Sequence, residues 1–269
     1  MKIHRLGLTI LMCIMAILSA CTNAEIDSEV LGKPQEEQSD ESIELRKETG
    51  HFEFYCVESD EECLEDLAEA LEENYLRITT ELENDLDFKV KVHVYKDIDT
   101  FHKAVGQPDA PSWVVGTAYG NSIKMVSPLN PGGSHDYQSL IQVVVHEFTH
   151  VVINNTVQSG VTVPMWLHEG VAMYEAKQTN QLYEVGKWVK LDKIPSIDTL
   201  ESYGSYKSME DNRIYPFSYT LVEYVISEHG IEKLNIFIRS PSDYSSAFGV
   251  YKDEFEQAWK DYLKRKYDK

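Results

Sequence analysis

In His146-Glu147-Phe148-Thr149-His150, residue types and spacing together could do chemistry. On a helix, residues four apart lie one turn on along the same face, so imidazoles at 146 and 150 can close on a single metal ion. Glu147 lies about 100° round the helix from His146. That keeps its carboxylate off the metal and near enough to take a proton from water activated there. A catalytic zinc site needs three protein ligands and one open position, so a third ligand must come from elsewhere. Glu169 is the candidate, separated from His150 by eighteen residues, in Pro164-Met165-Trp166-Leu167-His168-Glu169-Gly170-Val171-Ala172. The five-residue pattern alone is moderately specific. Its setting strengthens it, because two histidines and a glutamate among Val143, Val144, Val145, Val151 and Val152 are costly to bury unless a metal satisfies them.

Helices must hold these groups. An apolar stretch, capped by Ser134 and running to about Asn154, predicts a helix buried nearly all round. A second helix is expected from Pro164, a favoured first-turn residue, to about Lys177, packed antiparallel on the first. Gly170 inside it lowers helical stability by about 1 kcal/mol, acceptable where two backbones must approach closely beside the metal. Upstream, alternation over His51 to Val57 and Phe88 to Tyr95 predicts strands, the second turning Val90, Val92 and Val94 to a core. Leu64, Leu67, Leu71, Tyr75 and Ile78 recur at helical spacing, and a short helix is expected near Asp99 to Val105. Trp113 to Tyr119 and Ser122 to Val126 read as a hairpin turning at Gly120-Asn121. Helices follow at Tyr215 to Glu228, Glu232 to Arg239 and Lys252 to Lys266. The expected fold is α+β: a mixed α/β lobe over 50–155, with a small antiparallel-edged sheet and the His146 helix, then a mainly helical lobe over 156–269.

The His-Glu-x-x-His motif, the eighteen-residue gap and Trp-Leu-x-Glu-Gly-x-Ala together resemble the gluzincin branch of zinc peptidases. The pattern is similar to the aminopeptidase N-like and related MA-clan catalytic domains, over Ser134 to about Lys177. The resemblance implies a zincin-like fold, one zinc ion per chain on His146, His150 and Glu169, and Glu147 as base and proton shuttle. It also implies an oxyanion stabiliser later in the chain. By position Tyr215 fits best, Tyr219 one turn on competes, and His229 and His168 are further alternatives. Asn155 falls where the aminopeptidase N-like pattern has an asparagine, and capping the helix would explain it equally well. The glycine, methionine and acidic residues that recognise a free amino terminus in those enzymes are not visible upstream of His146. Val114-Val115-Gly116-Thr117-Ala118-Tyr119 instead resembles the edge strand that pairs with substrate backbone in these folds.

The chain begins as an exported one. Lys2, His4 and Arg5 precede an uncharged apolar run from Leu6 to Leu18, too short to span a bilayer and of signal-peptide length. Leu18-Ser19-Ala20-Cys21 resembles the lipobox of bacterial lipoproteins, which implies cleavage before Cys21, a lipid on its thiol and residence at the outer face of the cell membrane. An ordinary secretory signal is the other reading. Residues 21–49, rich in acid and poor in apolar side chains, read as a disordered tether. The formal net charge is −20, which argues against nucleic acid as a partner. Outside the cytoplasm a disulfide between Cys56 and Cys63 is permitted, and two free thiols are the alternative.

The expectation is a membrane-anchored zinc peptidase acting on peptides or proteins, endopeptidase rather than aminopeptidase. The competing expectations are a non-catalytic lipoprotein that kept a peptidase-like fold to bind peptides, and a transporter's solute-binding lipoprotein, which would need two hinged α/β lobes.

Overall fold

The computed structural model describes residues 43–268. The export signal, Cys21 and the tether as far as residue 42 lie outside the described residues. The sheet has five strands: β1 (Glu44–Glu48), β2 (Phe52–Cys56), β3 (Val90–Tyr95), β4 (Gly116–Tyr119) and β5 (Ser122–Val126), in the order β1-β2-β3-β5-β4. The inner pairings, β2 with β3 and β3 with β5, are parallel. Both outer pairings are antiparallel, so the sheet is mixed, with antiparallel edges as expected. Parallel neighbours need a crossover. Helix α1 (Leu64–Glu81) supplies it between β2 and β3, and α2 (Ile98–Ala104) lies on the path from β3 to the β4/β5 hairpin. Alternation works as the sequence requires: Phe52, Phe54, Val90, Val92 and Val94 are wholly buried, and Gly120 turns the hairpin with φ +58.

Helix α3 (Tyr137–Thr156) packs against α1, β4 and β5. Phe148, in the middle of the His146 motif, anchors it, edge-on to Phe52 at 5.3 Å and stacked on Tyr75 at 5.5 Å. Helix α4 (Met165–Glu175) follows, then α5 (Leu182–Lys190), α6 (Ile197–Glu201), α7 (Tyr206–Asp211), α8 (Ile214–His229), α9 (Ile231–Arg239), α10 (Tyr244–Phe248) and α11 (Lys252–Tyr267). The second half is therefore helical, with α8, α9 and α11 where periodicity placed them. Helix α4 lies along α8 so closely that a Cβ built on Gly170 would sit 2.3 Å from the Ser218 carbonyl oxygen. Among the described residues no helix is long and apolar enough to cross a membrane.

Two expectations are corrected, and one open alternative is decided. The tether does not run to residue 49, because Glu44-Leu45-Arg46-Lys47-Glu48 forms β1, paired on β2 with a bulge between Leu45 and Lys47. An edge strand exposed on most of its surface can be mostly charged, and here Arg46 meets Glu61 at 3.2 Å and Lys47 meets Glu65 at 2.5 Å. The cap of α3 is Asp136, not Ser134. The Asp136 carboxylate accepts the Ser139 N–H at 2.8 Å and Ser139 Oγ accepts the Asp136 N–H at 2.9 Å, a reciprocal arrangement that fixes the helix start. Ser134 pairs with Ser112 instead. Finally, Cys56 and Cys63 are buried free thiols. Burial pushes Cys56 up to about 11 and Cys63 to about 12, and the Cys63 thiol donates to the Asp60 carbonyl at 3.1 Å.

Candidate active site

Helix α3 supplies His146 and His150, one turn apart, with ring centroids 4.6 Å apart and planes at 88°. Helix α4 supplies Glu169, whose Oε2 lies 3.3 Å from His146 Nε2 and 3.6 Å from His150 Nε2. The three residues are 8%, 6% and 4% exposed, so the group is almost closed to bulk water. The ligating atoms lie within 4.8 Å of one another. Zinc bonds of about 2.0–2.2 Å in a tetrahedral site put neighbouring ligand atoms about 3.4 Å apart. The two spacings to Glu169 bracket that value, so two imidazole nitrogens and a carboxylate oxygen fit the ion in chemistry and, at Glu169, in distance. Burial by itself would raise the Glu169 carboxyl, but the His150 and His146 rings beside it hold it well below the usual carboxylate range.

Glu147 is buried next to this group without belonging to it. Burial pushes its carboxyl above the ordinary range, against the pull of His150 and His146. Strand β4 runs directly over it: a Cβ on Gly116 would lie 2.6 Å from Glu147 Oε1 and 2.9 Å from Val143 Cγ1. Glycine at 116 is what lets strand and helix come together there. One edge of β4 pairs with β5, and the strand lines the cleft.

The two histidines are held differently from behind. His146 Nδ1 lies 2.9 Å from the Gln178 side-chain oxygen. His150 Nδ1 has no hydrogen-bond partner among the described residues, and its ring is stacked on His168 at 4.0 Å and 14°. Burial, then the neighbouring His150, holds His168 well below its ordinary value, and its Nε2 meets Asn154 Oδ1 at 3.1 Å. Asn155 is exposed and its amide donates back to the Val151 carbonyl at 2.8 Å, which closes the last turn of its own helix.

Tyr215, in the first turn of α8, lines the same cleft. Burial raises its phenol well above the usual value, and Glu169 and Glu147 nearby push the same way, so it stays protonated and can donate toward an oxygen. Tyr219 is elsewhere, packed on Tyr174 at 5.7 Å beside Glu223 and Lys266. His229 sits at the far end of α8 against Tyr224. The structure thus brings His146, Glu147, His150, Glu169 and Tyr215 together and leaves Tyr219 and His229 apart.

The cleft has a volume of about 530 Å³, within the ordinary span of ligand sites. Trp113, Tyr203 and Tyr206 form aromatic walls. The indole N–H of Trp113 donates to Glu210, and the Tyr206 hydroxyl donates to Gln107. These contacts tie α7 to the loop before β4. Gln178, Trp113, Tyr206 and Glu210 went unrecognised in the sequence because no spacing links residues that meet only through the tertiary fold.

A family model described as the Peptidase MA superfamily matches residues 71–265, from the middle of α1 to α11. No curated protein matches the chain.

Proposed function

Because the chain belongs to the Peptidase MA superfamily, we propose that it hydrolyses peptide bonds as a gluzincin-type zinc peptidase of zincin-like fold. His146, His150 and Glu169 would hold one zinc ion. The observation that carries the proposal is the convergence of three buried ligand atoms at 3.3 and 3.6 Å beside a separate buried carboxylate, Glu147. Zinc, when bound, supplies a Lewis acid that polarises the substrate carbonyl and makes water acidic near neutral pH.

The chain's own residues do the rest. Glu147 takes the proton of the attacking water and delivers it to the leaving nitrogen. Tyr215, kept protonated, donates its O–H to the carbonyl oxygen as negative charge develops there. The free edge of β4 pairs with an extended substrate backbone. Endopeptidase action is favoured because an aminopeptidase needs a carboxylate free to bind the substrate's amino terminus. The cleft acids outside the catalytic group are already engaged, Glu184 with Arg213 at 3.3 Å and Glu210 with Trp113. Lipid attachment at Cys21 and a position at the outer face of a cell membrane complete the proposal, on the strength of Leu18-Ser19-Ala20-Cys21 after an apolar run.

Elemental analysis alongside cleavage of an unbiased peptide library tests the reading. One zinc per chain is expected, a chelator should abolish cleavage, and added zinc should restore it. A zinc-free wild-type protein, or one that cleaves nothing when loaded, would overturn it. Tyr215→Phe should lower kcat about 10²–10³-fold with KM little changed, as for the loss of an oxyanion donor. Tyr219→Phe should retain wild-type kcat, and a reversed pattern in steady-state kinetics would transfer the role to Tyr219.

A further inference from the structure

We propose that Gln178 is a positioning residue that fixes the ring orientation and tautomer of His146, and through them the affinity of the site for zinc; this rests on the metal-site reading above. Helix α4 ends in a defined motif. Lys177 takes a left-handed conformation with φ 56. Its N–H donates to the Tyr174 carbonyl at 3.1 Å, and the Gln178 N–H donates to the Met173 carbonyl at 2.9 Å. These are the paired bonds of a Schellman ending, in which the residue two beyond the cap is turned back along the helix. Left-handed backbone at a lysine is strained. The motif aims the Gln178 side chain at the back of His146.

The chemistry of the contact is one-directional. With the amide oxygen facing it, Nδ1 is the nitrogen that carries the proton in the neutral ring, which leaves the Nε2 lone pair for a metal. Nε2 is the atom that lies 3.3 Å from Glu169. Helix α4 and the turn that ends it therefore contribute both a ligand, Glu169, and the group that orients a ligand from another helix. Outer partners of metal-bound histidines act in this way, and losing one commonly weakens metal binding about 10–100-fold. Among the described residues His150 lacks such an acceptor and its ring stacks on His168, so orientation by hydrogen bond at the metal group falls to Gln178.

The test compares wild type, Gln178→Leu and Gln178→Glu in the full chain, with the zinc dissociation constant read by competition against a chromophoric chelator. Gln178→Leu should raise it about 10–100-fold while the melting temperature of the metal-free protein stays at the wild-type value. Gln178→Glu, which keeps an acceptor at the same reach, should restore wild-type or tighter binding. Nitrogen-15 NMR of the zinc-loaded wild type, which needs no variant to fold, should find the proton of His146 on Nδ1. Wild-type affinity in Gln178→Leu, equal weakening in Gln178→Glu, or a bare Nδ1 would each overturn the role of Gln178 alone. A wild type that takes up no zinc would overturn the metal reading and this role together.

Discussion

Glu147→Gln is expected to lower kcat for peptide hydrolysis about 10²–10⁴-fold, the span usual for removing a positioned general base, with zinc content unchanged. Two features separate those effects. Glu147 is not one of the three residues whose ligating atoms converge, so losing its charge leaves the donor set whole. Its carboxylate is also enclosed, with β4 close over Oε1, and glutamine fills the same space without pushing the strand away. The change removes a proton acceptor and little else. Elemental analysis, thermal unfolding and steady-state kinetics on one preparation check it. Activity above a tenth of wild type would assign the base to another group, and loss of zinc would make Glu147 part of the metal shell.

Gly170→Ala is expected to lower the melting temperature and impair hydrolysis, although alanine is the better helix former. The new methyl would lie 2.3 Å from the Ser218 carbonyl oxygen and 2.8 Å from both Ser218 C and Val222 Cγ2. Two of these are backbone atoms, which cannot swing aside as the end of a side chain can. Overpacking of this kind costs about 3 kcal/mol, against about 1 kcal/mol that alanine gains over glycine in a helix. The difference, about 2 kcal/mol, corresponds to about 4–8 °C in Tm for a domain of this size. Catalysis should suffer as well, because Glu169 precedes the glycine and Tyr215 lies one turn before Ser218 on α8. Forcing the helices apart separates ligand from tyrosine. An unchanged Tm in differential scanning calorimetry would mean that α4 and α8 are not in backbone contact.

The legible part of this chain was its helical periodicity and the chemistry written on it. His146, His150 and Glu169 could be named because one turn of helix fixes the first pair and a zinc site demands a third ligand. Helices α1, α3 and α8, and strands β2 and β3, announce themselves through long apolar periods. Strand β1 does not, since an outermost strand with little buried surface has no apolar alternation to display. Helix α5 is short and interrupted by Gly186, which sits where a Cβ would lie 2.8 Å from the Tyr267 carbonyl oxygen, a contact between segments far apart in sequence. Helices α6, α7 and α10 have five or six residues each, too few for a period to show. The choice between Tyr215 and Tyr219 needed tertiary structure as well. One turn separates them, yet the first faces the cleft and the second faces Tyr174. Gln178 was the hardest to see, because its role depends on a left-handed lysine that nothing in Ala176-Lys177-Gln178 advertises.

The sheet's two ends also govern how this protein behaves in company. At one end, β1 carries Glu44, Arg46, Lys47 and Glu48, is broken by a bulge and is crossed by ion pairs to Glu61 and Glu65. A foreign strand docking there would have to strip water from those charges and bridge an irregular ladder, which is how natural sheets resist edge-to-edge aggregation. At the other end, β4 is four uncharged residues, Gly116-Thr117-Ala118-Tyr119, the first three of which line the cleft. Under the proposed function, rejection of neighbours and reception of a guest chain fall to opposite margins of one sheet.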